Sequence, residues 1–332
     1  MAFMTKMTIL KGKQTRMGEK MKMEIHKMLF IGVTTKKSIV NHIFPEWIKM
    51  LGSDLLLECI DIPMNSAEED YGFYANKIKT DASILGALVT THKSSLYKSA
   101  KDFFDELAES SVKFGEIGCV YKRNTRMIGE ATDVLTIKHA FENICLAHQG
   151  SPNTSSDICI LGCGGAGVAL AYVLLSNQSQ FTGEVIMTDA KTERVKDAKN
   201  SLQQYDTKNR LIIQVVEDMS KNDAVVESLR ESSFVVNATG MGKDIPGSPI
   251  FTKTLFPKGG CVWEYNYRGE LGFYRLAMSQ KEGQQLSVFD GFDYFLYGWS
   301  TVISRVLNIT INDELFMRLR DVAIKIYEAY SE

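Results

Sequence analysis

Hydrophobic positions along the chain fall into short runs closed by turn residues, separated by longer stretches at helical spacing. The first run is Met28-Leu29-Phe30-Ile31-Gly32-Val33, whose length and closing glycine predict a buried strand. Ser38 to Leu51 then fits a helix, Leu55-Leu56-Leu57-Glu58-Cys59-Ile60 a strand, Gly86-Ala87-Leu88-Val89-Thr90 another strand, and Ser95 to Glu109 a further helix. The pattern resumes with strand-like Ile158-Cys159-Ile160-Leu161, Glu184 to Asp189 and Ser233 to Asn237, and Val302 to Tyr330 is helical in pattern. Strand and helix in alternation predict an α/β fold with a parallel-leaning sheet. Gln149 to Ser156 is the one polar, turn-rich stretch in mid-chain and marks a candidate domain junction. Residues 1–27 lack apolar periodicity and are expected to be a disordered extension, with several internal methionines that could each be the true start.

The stretch after that junction carries candidate chemistry. Gly162, Gly164 and Gly167 form Gly-x-Gly-x-x-Gly between an apolar strand and the apolar helical run Val168 to Leu175, the context a dinucleotide-binding turn requires. Glycine at the first position permits a tight turn, at the second lets a pyrophosphate approach the backbone, and at the third lets helix and strand pack closely. Exposed amides over Gly164-Gly165-Ala166-Gly167 would then hold the phosphates at the helix start. Asp189 ends the next strand, somewhat further along than the usual spacing of roughly 20 residues, and can accept hydrogen bonds from a ribose. Its charge repels a 2′-phosphate, so NAD is the preferred cofactor over NADP, although Lys191 nearby offers a phosphate a partner. The loop Asn237-Ala238-Thr239 closes a later strand and should face the same cofactor, because ligands in open α/β sheets lie beyond the carboxyl ends of the strands.

Composition narrows the class. The chain has 332 residues, 45 % hydrophobic and 23 % charged, enough for two packed cores. A formal net charge of −2 gives no global field for nucleic acid or anionic membrane, so neither is expected as a partner. No apolar run approaches the roughly 20 residues that span a bilayer, and no signal-peptide core follows the basic start, so a cytoplasmic location is expected. The six cysteines are scattered without a Cys-x-x-Cys pair and read as reduced, structural residues. The histidines lack metal-ligand spacing, so no metal is expected.

Several segments, in order, resemble the shikimate dehydrogenase family. Gly86-Ala87-Leu88-Val89-Thr90-Thr91-His92-Lys93 resembles its Asn-Val-Thr-x-Pro-x-Lys segment, one residue shorter. Glu130-Ala131-Thr132-Asp133 resembles its Asn-Thr-Asp, Asn237 to Gly242 its Asn-Ala-Thr loop, and Asp290-Gly291-Phe292 its late Asp-Gly. The resemblance implies a substrate-binding α/β domain over 28–134, with C-terminal helices of 300–332 packing back on it, a Rossmann domain over 135–299, and an active site between them. It assigns Lys93 and Asp133 to a catalytic pair and Ser38, Thr90 and Tyr267 to the substrate. Hydride transfer at a carbinol carbon requires a proton to move on the oxygen, which a lysine oriented by an aspartate can do. His92 is a secondary candidate for that proton, and Asp133 alone reads equally as a helix cap.

The departures bear on substrate. Val40 stands at the second serine of the family's Ser-x-Ser, Leu88 and Gly118 replace asparagines, Gly298 replaces a glutamine, and Glu264 an aspartate. Losing such groups is costly for a small polyhydroxy acid and implies a roomier, less polar pocket. The expectation is an NAD(P)-dependent oxidoreductase of a secondary alcohol, cyclic and not necessarily shikimate. The alternative is a catalytically silent nucleotide-dependent sensor of a small ligand. A homodimer is the default association.

Overall fold

The computed structural model describes residues 25–64, 66–148, 155–176, 181–243 and 245–331. The expectations for residues 1–24 and for most of the polar stretch near 149–154 lie outside the described residues. Two six-stranded sheets dominate the described chain.

The first sheet contains β1 (Lys27–Gly32), β2 (Leu56–Asp61), β3 (Ile84–Val89), β4 (Glu106–Leu107), β5 (Cys119–Arg123) and β6 (Arg126–Glu130), in the spatial order β2-β1-β3-β5-β6-β4. β1 pairs in parallel with β2 and β3, whereas β5 runs antiparallel to both β3 and β6. β1 reads as a continuous apolar run because both of its faces are covered. Met28 and Phe30 join a core with α1 (Val40–Met50), and Leu29 and Ile31 join one with α2 (Glu68–Thr80) and α3 (Lys93–Ala100). α4 (Glu109–Phe114) leads into β5.

After α5 (Asp133–Ala147) the second sheet takes β7 (Ile158–Leu161), β8 (Val185–Asp189), β9 (Leu211–Val215), β10 (Phe234–Asn237), β11 (Cys261–Glu264) and β12 (Ser287–Phe289). Its pairings are all parallel, in the order β12-β11-β10-β7-β8-β9. Numbered within the sheet this is 3-2-1-4-5-6, the Rossmann order. Ile158 and Ile160 face α5, α6 (Gly165–Leu175) and α7 (Thr192–Leu202), while Cys159 and Leu161 face α8 (Met219–Glu227) and α9 (Gly272–Gln284). The α/β class with two parallel-rich sheets is therefore as expected.

Two elements differ from the expectation. The helix predicted to Glu109 stops at Ala100, because Phe103 and Phe104 turn into the first sheet's core and Asp105 exchanges hydrogen bonds with Met127, drawing the chain into the edge strand β4. The C-terminal helical run is two helices, α10 (Phe292–Leu307) and α11 (Asp313–Ser331), broken where Asn308 takes a left-handed φ of 54°. α10 starts ten residues before the expected Val302, and Phe292, Leu296, Trp299 and Val302 pack into the first sheet's core. α11 follows it there, and Trp47 of α1 donates from Nε1 to the Leu319 carbonyl at 2.8 Å.

Candidate active site between the two sheets

The second sheet changes winding direction between the neighbouring strands β7 and β10, and ligands in such sheets bind at the carboxyl ends flanking this point. The chain leaves β7 through Gly162, whose φ of 114° belongs to glycine. A Cβ on Gly167 would stand 2.1 Å from the Gly162 carbonyl oxygen, so helix α6 can lie this close to the turn only with glycine there. Beside Gly164, the N-cap of α6, a Cβ would meet nothing within 4 Å. That open face, at a helix start whose amides point outward, fits a pyrophosphate.

Asp189 closes β8 beside this turn. Its Oδ2 accepts from the Cys163 amide at 2.9 Å and its Oδ1 from the Lys191 amide at 2.9 Å, and only 7 % of the side chain is exposed. It thus holds the turn in place while bordering it. Arg194, in the first turn of α7, approaches Asp189 to 3.7 Å and lines the cleft; the sequence reading passed over it. Asn237 is buried, accepting from the Thr239 amide and hydroxyl and donating to Glu264 at 2.7 Å. Its side chain shapes the loop, leaving Ala238 and Thr239 to border the glycine turn. Burial pushes the Glu264 carboxyl up to about 7, against hydrogen bonds from Asn266 and Asn237.

Facing this turn, the first sheet presents the carboxyl end of β3. Thr91 turns with a φ of 46°, and α3 begins at Lys93. Lys93 Nζ donates to Asp133, the first residue of α5. The lysine stem lies over Gly118, where a Cβ would sit 3.4 Å from its Cε. The lack of a side chain at Gly118 therefore leaves this space to the lysine. Burial pulls the Lys93 ammonium down, but the Asp133 and Glu116 carboxylates outweigh it and the net shift is upward. Glu116 is pushed up to about 7 by burial and by Asp133, with Lys93 opposing.

His92 is 2 % exposed and engaged elsewhere. Its Nε2 donates to the Ile62 carbonyl at 2.8 Å and its Nδ1 lies 3.0 Å from the Tyr71 hydroxyl, so both ring nitrogens are engaged away from Lys93.

One cleft of about 800 Å³ borders Ser38, Thr90, Lys93, Asp133 and Tyr267, together with Arg194, Gly240, Lys243 and Arg268 of the second half. Its inner wall is aromatic and aliphatic: Phe30 meets Trp299 at 4.8 Å and Tyr267 meets Phe295 at 4.5 Å between ring centroids, with Leu88 and Val302 beside them. Gly298 lines this wall. Val40 does not: it is fully buried against Ile43 and Trp47, on the core side of α1, so its substitution leaves the cleft unchanged. Among the described residues no group of three or more His, Cys, Asp or Glu side chains is arranged to hold a metal, and no helix is long and apolar enough to cross a membrane.

Fold and cleft together define a two-domain α/β protein with a Rossmann-type dinucleotide-binding sheet. The chain is 30 % identical over 183 residues to shikimate dehydrogenase (NADP(+)) of Streptococcus gordonii, covering 54 % of this chain and 59 % of the relative. It is 26 % identical over 196 residues to the same enzyme of Streptococcus thermophilus, covering 59 % and 63 %. The matches thus span about three fifths of these relatives' length. No protein-family model matches the chain. In fold it superimposes on quinate dehydrogenase from Corynebacterium glutamicum in complex with NAD, with a TM-score of 0.70 at 18 % identity over 90 % of this chain and 99 % of the other. Shikimate 5-dehydrogenase from Thermus thermophilus, in complex with NADP(H) and shikimate, gives a TM-score of 0.65 at 18 % identity, over 91 % and 99 %. The resemblance read from the motifs therefore holds in sequence and in architecture, at the distance of a divergent relative.

Proposed function

We propose that this chain is a divergent shikimate dehydrogenase-like oxidoreductase, interconverting a secondary alcohol and its ketone with a nicotinamide dinucleotide. The observation that carries the reading is the Lys93–Asp133 ion pair inside the cleft between the two sheets. In this reading residues 28–134 with the C-terminal helices hold the substrate and residues 135–299 the cofactor. The Gly162–Gly167 turn would hold the pyrophosphate, Asp189 the adenosine ribose, and the Ala238-Thr239 loop the nicotinamide half. When bound, the nicotinamide supplies the hydride chemistry.

The chain's own residues handle the proton. Lys93, held charged by its carboxylate neighbours, rests in the form that donates to the oxygen of a ketone undergoing reduction. Asp133 orients the ammonium. Ser38 and Thr90 offer hydroxyls to the substrate, and Tyr267 covers it from the second half. The apolar wall around Leu88, Phe295 and Trp299 favours a cyclic substrate with fewer hydroxyls than a polyhydroxy acid.

Asp189 favours NAD(H), because a 2′-phosphate would lie against its carboxylate. Arg194 works in the opposite sense, and the relatives named above carry NADP in one name and NAD in another. A screen of cyclic secondary alcohols and ketones, followed by reduced-nicotinamide absorbance, tests the reading. Turnover lost in Lys93→Ala with nucleotide binding retained supports it. The loss of substrate-holding polar groups at Leu88 and Gly298 favours one second reading, a ligand sensor, for which nucleotide and ligand bind without any turnover.

A further inference from the structure

We propose that Lys113 is a positioning residue: it clamps the first half of the molecule onto helix α6 of the second, and so sets how Lys93 stands relative to the dinucleotide turn. Its consequence for catalysis rests on the dehydrogenase reading, whereas the clamp stands on contacts in the structure. Lys113 lies in α4, and its ammonium reaches across to the second half. Nζ donates to the Tyr172 hydroxyl at 2.9 Å, and it lies 4.2 Å from the centroid of the Tyr172 ring and 4.5 Å from that of Tyr205. Tyr172 belongs to α6, and Tyr205 ends the helical turn Gln203–Tyr205 that follows α7. The two rings meet edge to face, 4.9 Å apart at 85°, and the charge sits in the angle between them. Phe114 brings a third ring to within 5.2 Å of Tyr172. The negative faces of aromatic rings hold a cation at this range, and the hydroxyl fixes its direction.

The clamp is anchored firmly on its own side. The Ala108 amide and the buried Ser111 hydroxyl both donate to the Gly129 carbonyl, at 2.9 and 3.2 Å, and tie α4 to β6 of the first sheet. From Lys113 the chain runs directly to the lysine of the cleft. Glu116 Oε2 lies 3.7 Å from where a Cβ on Gly165 would be, so the segment follows α6 from Tyr172 back to its first residue. The Ile117 amide then donates to the Lys93 carbonyl at 3.1 Å, and the Lys93 stem lies over Gly118. The stretch 113–118 thus joins the helix that starts at the dinucleotide turn to both the backbone and the stem of Lys93.

Such a joint matters because the two reactants sit on different halves. The substrate carbon is held beside Lys93 and the nicotinamide by the second half, and hydride transfer requires the two to meet in one geometry. A misplacement of about 1 Å costs on the order of a hundredfold in rate. Parting the halves changes that meeting while leaving the glycine turn and Asp189 as they are. Loss of the clamp therefore lowers kcat and spares nucleotide affinity.

The test compares wild type with Lys113→Met, Lys113→Arg, Tyr205→Leu and the double variant Lys113→Met/Tyr205→Leu in the full chain. The readouts are kcat, calorimetric titration with NAD(H) and NADP(H), and small-angle X-ray scattering without ligand. Lys113→Met keeps the length of the stem and removes the charge. It should lower kcat about tenfold, leave nucleotide affinity unchanged and enlarge the radius of gyration. Lys113→Arg should restore all three to wild type, because a guanidinium stacks on aromatic faces and also donates hydrogen bonds. The double variant should be no worse than Lys113→Met alone, since both changes break one contact. Unchanged scattering in Lys113→Met, a kcat that does not fall, or failure of arginine to rescue overturns the proposal. A lowered melting temperature with kcat unchanged marks a merely structural contact and overturns it as well. If wild type turns over no alcohol at all, the dehydrogenase reading fails, while the scattering comparison still decides whether Lys113 holds the halves together.

Discussion

The dinucleotide-type turn of the second sheet is built of backbone: the Gly162–Gly167 segment, the start of α6, and a loop shaped from beneath by Asn237. Where the first sheet borders the cleft, the contributions are side chains: Lys93, Asp133, Ser38, Thr90, Leu88 and the Phe30–Trp299 wall. Backbone parts are locked by sterics, since a single methyl on Gly167 would collide with the Gly162 carbonyl. Side-chain parts can be exchanged one at a time without moving a strand. The contrast sets a sterically locked turn against an apolar wall whose side chains can vary independently.

Lys93→Ala separates the two halves most sharply. It should lower kcat by about 10²–10⁴-fold, the range of general acid–base catalysis, while calorimetry shows nucleotide affinity unchanged. Affinity lost in parallel would mean that the halves are not independent. Gly167→Ala should do the reverse, destabilising the fold by about 1–3 kcal/mol through overpacking and abolishing nucleotide binding. Gly164→Ala, whose Cβ meets open space, should keep its melting temperature and lose only nucleotide affinity.

A pH effect of intermediate size belongs to the buried Glu264. Its folded pKa of about 7 lies above the ordinary carboxylate value, so the folded state binds the proton more tightly than the unfolded chain does. Stability from this group is full below about pH 4.5 and is lost as pH rises through about 7, by about 1–3 kcal/mol. Melting curves from pH 5 to 8 check it, and a rising melting temperature would contradict the sign. The smallest effect is expected from Leu88→Asn, which places an amide in the wall. It should shift kcat/KM toward a polyhydroxy acid over an apolar cyclic alcohol by about tenfold, one hydrogen bond's worth.

Much of this was legible in the sequence for physical reasons that differ along the chain. β7, its turn and α6 were readable almost residue by residue, because doubly covered strands are continuously apolar and the turn demands glycine. Lys93 and Asp133 came from ordered resemblance, since nothing in their spacing announces an ion pair between α3 and α5. Glu116 was out of reach for the same reason: it lies in a short connection after α4, and only the folded chain brings its carboxyl to Gly165. Val40 misled because the side of α1 it occupies is settled by tertiary packing. The two-residue strand β4 is too short to show any period, and Arg194 sits on a helix whose polar face alone gives no direction.

Calorimetric titration of the full chain with NAD(H) and NADP(H) separately, repeated with Asp189→Ala, tests the central claim most directly. Saturable binding with NAD(H) favoured in wild type, and weakened in the variant, is the predicted result. Failure of wild type to bind either nucleotide would contradict the account and leave the fold without its cofactor.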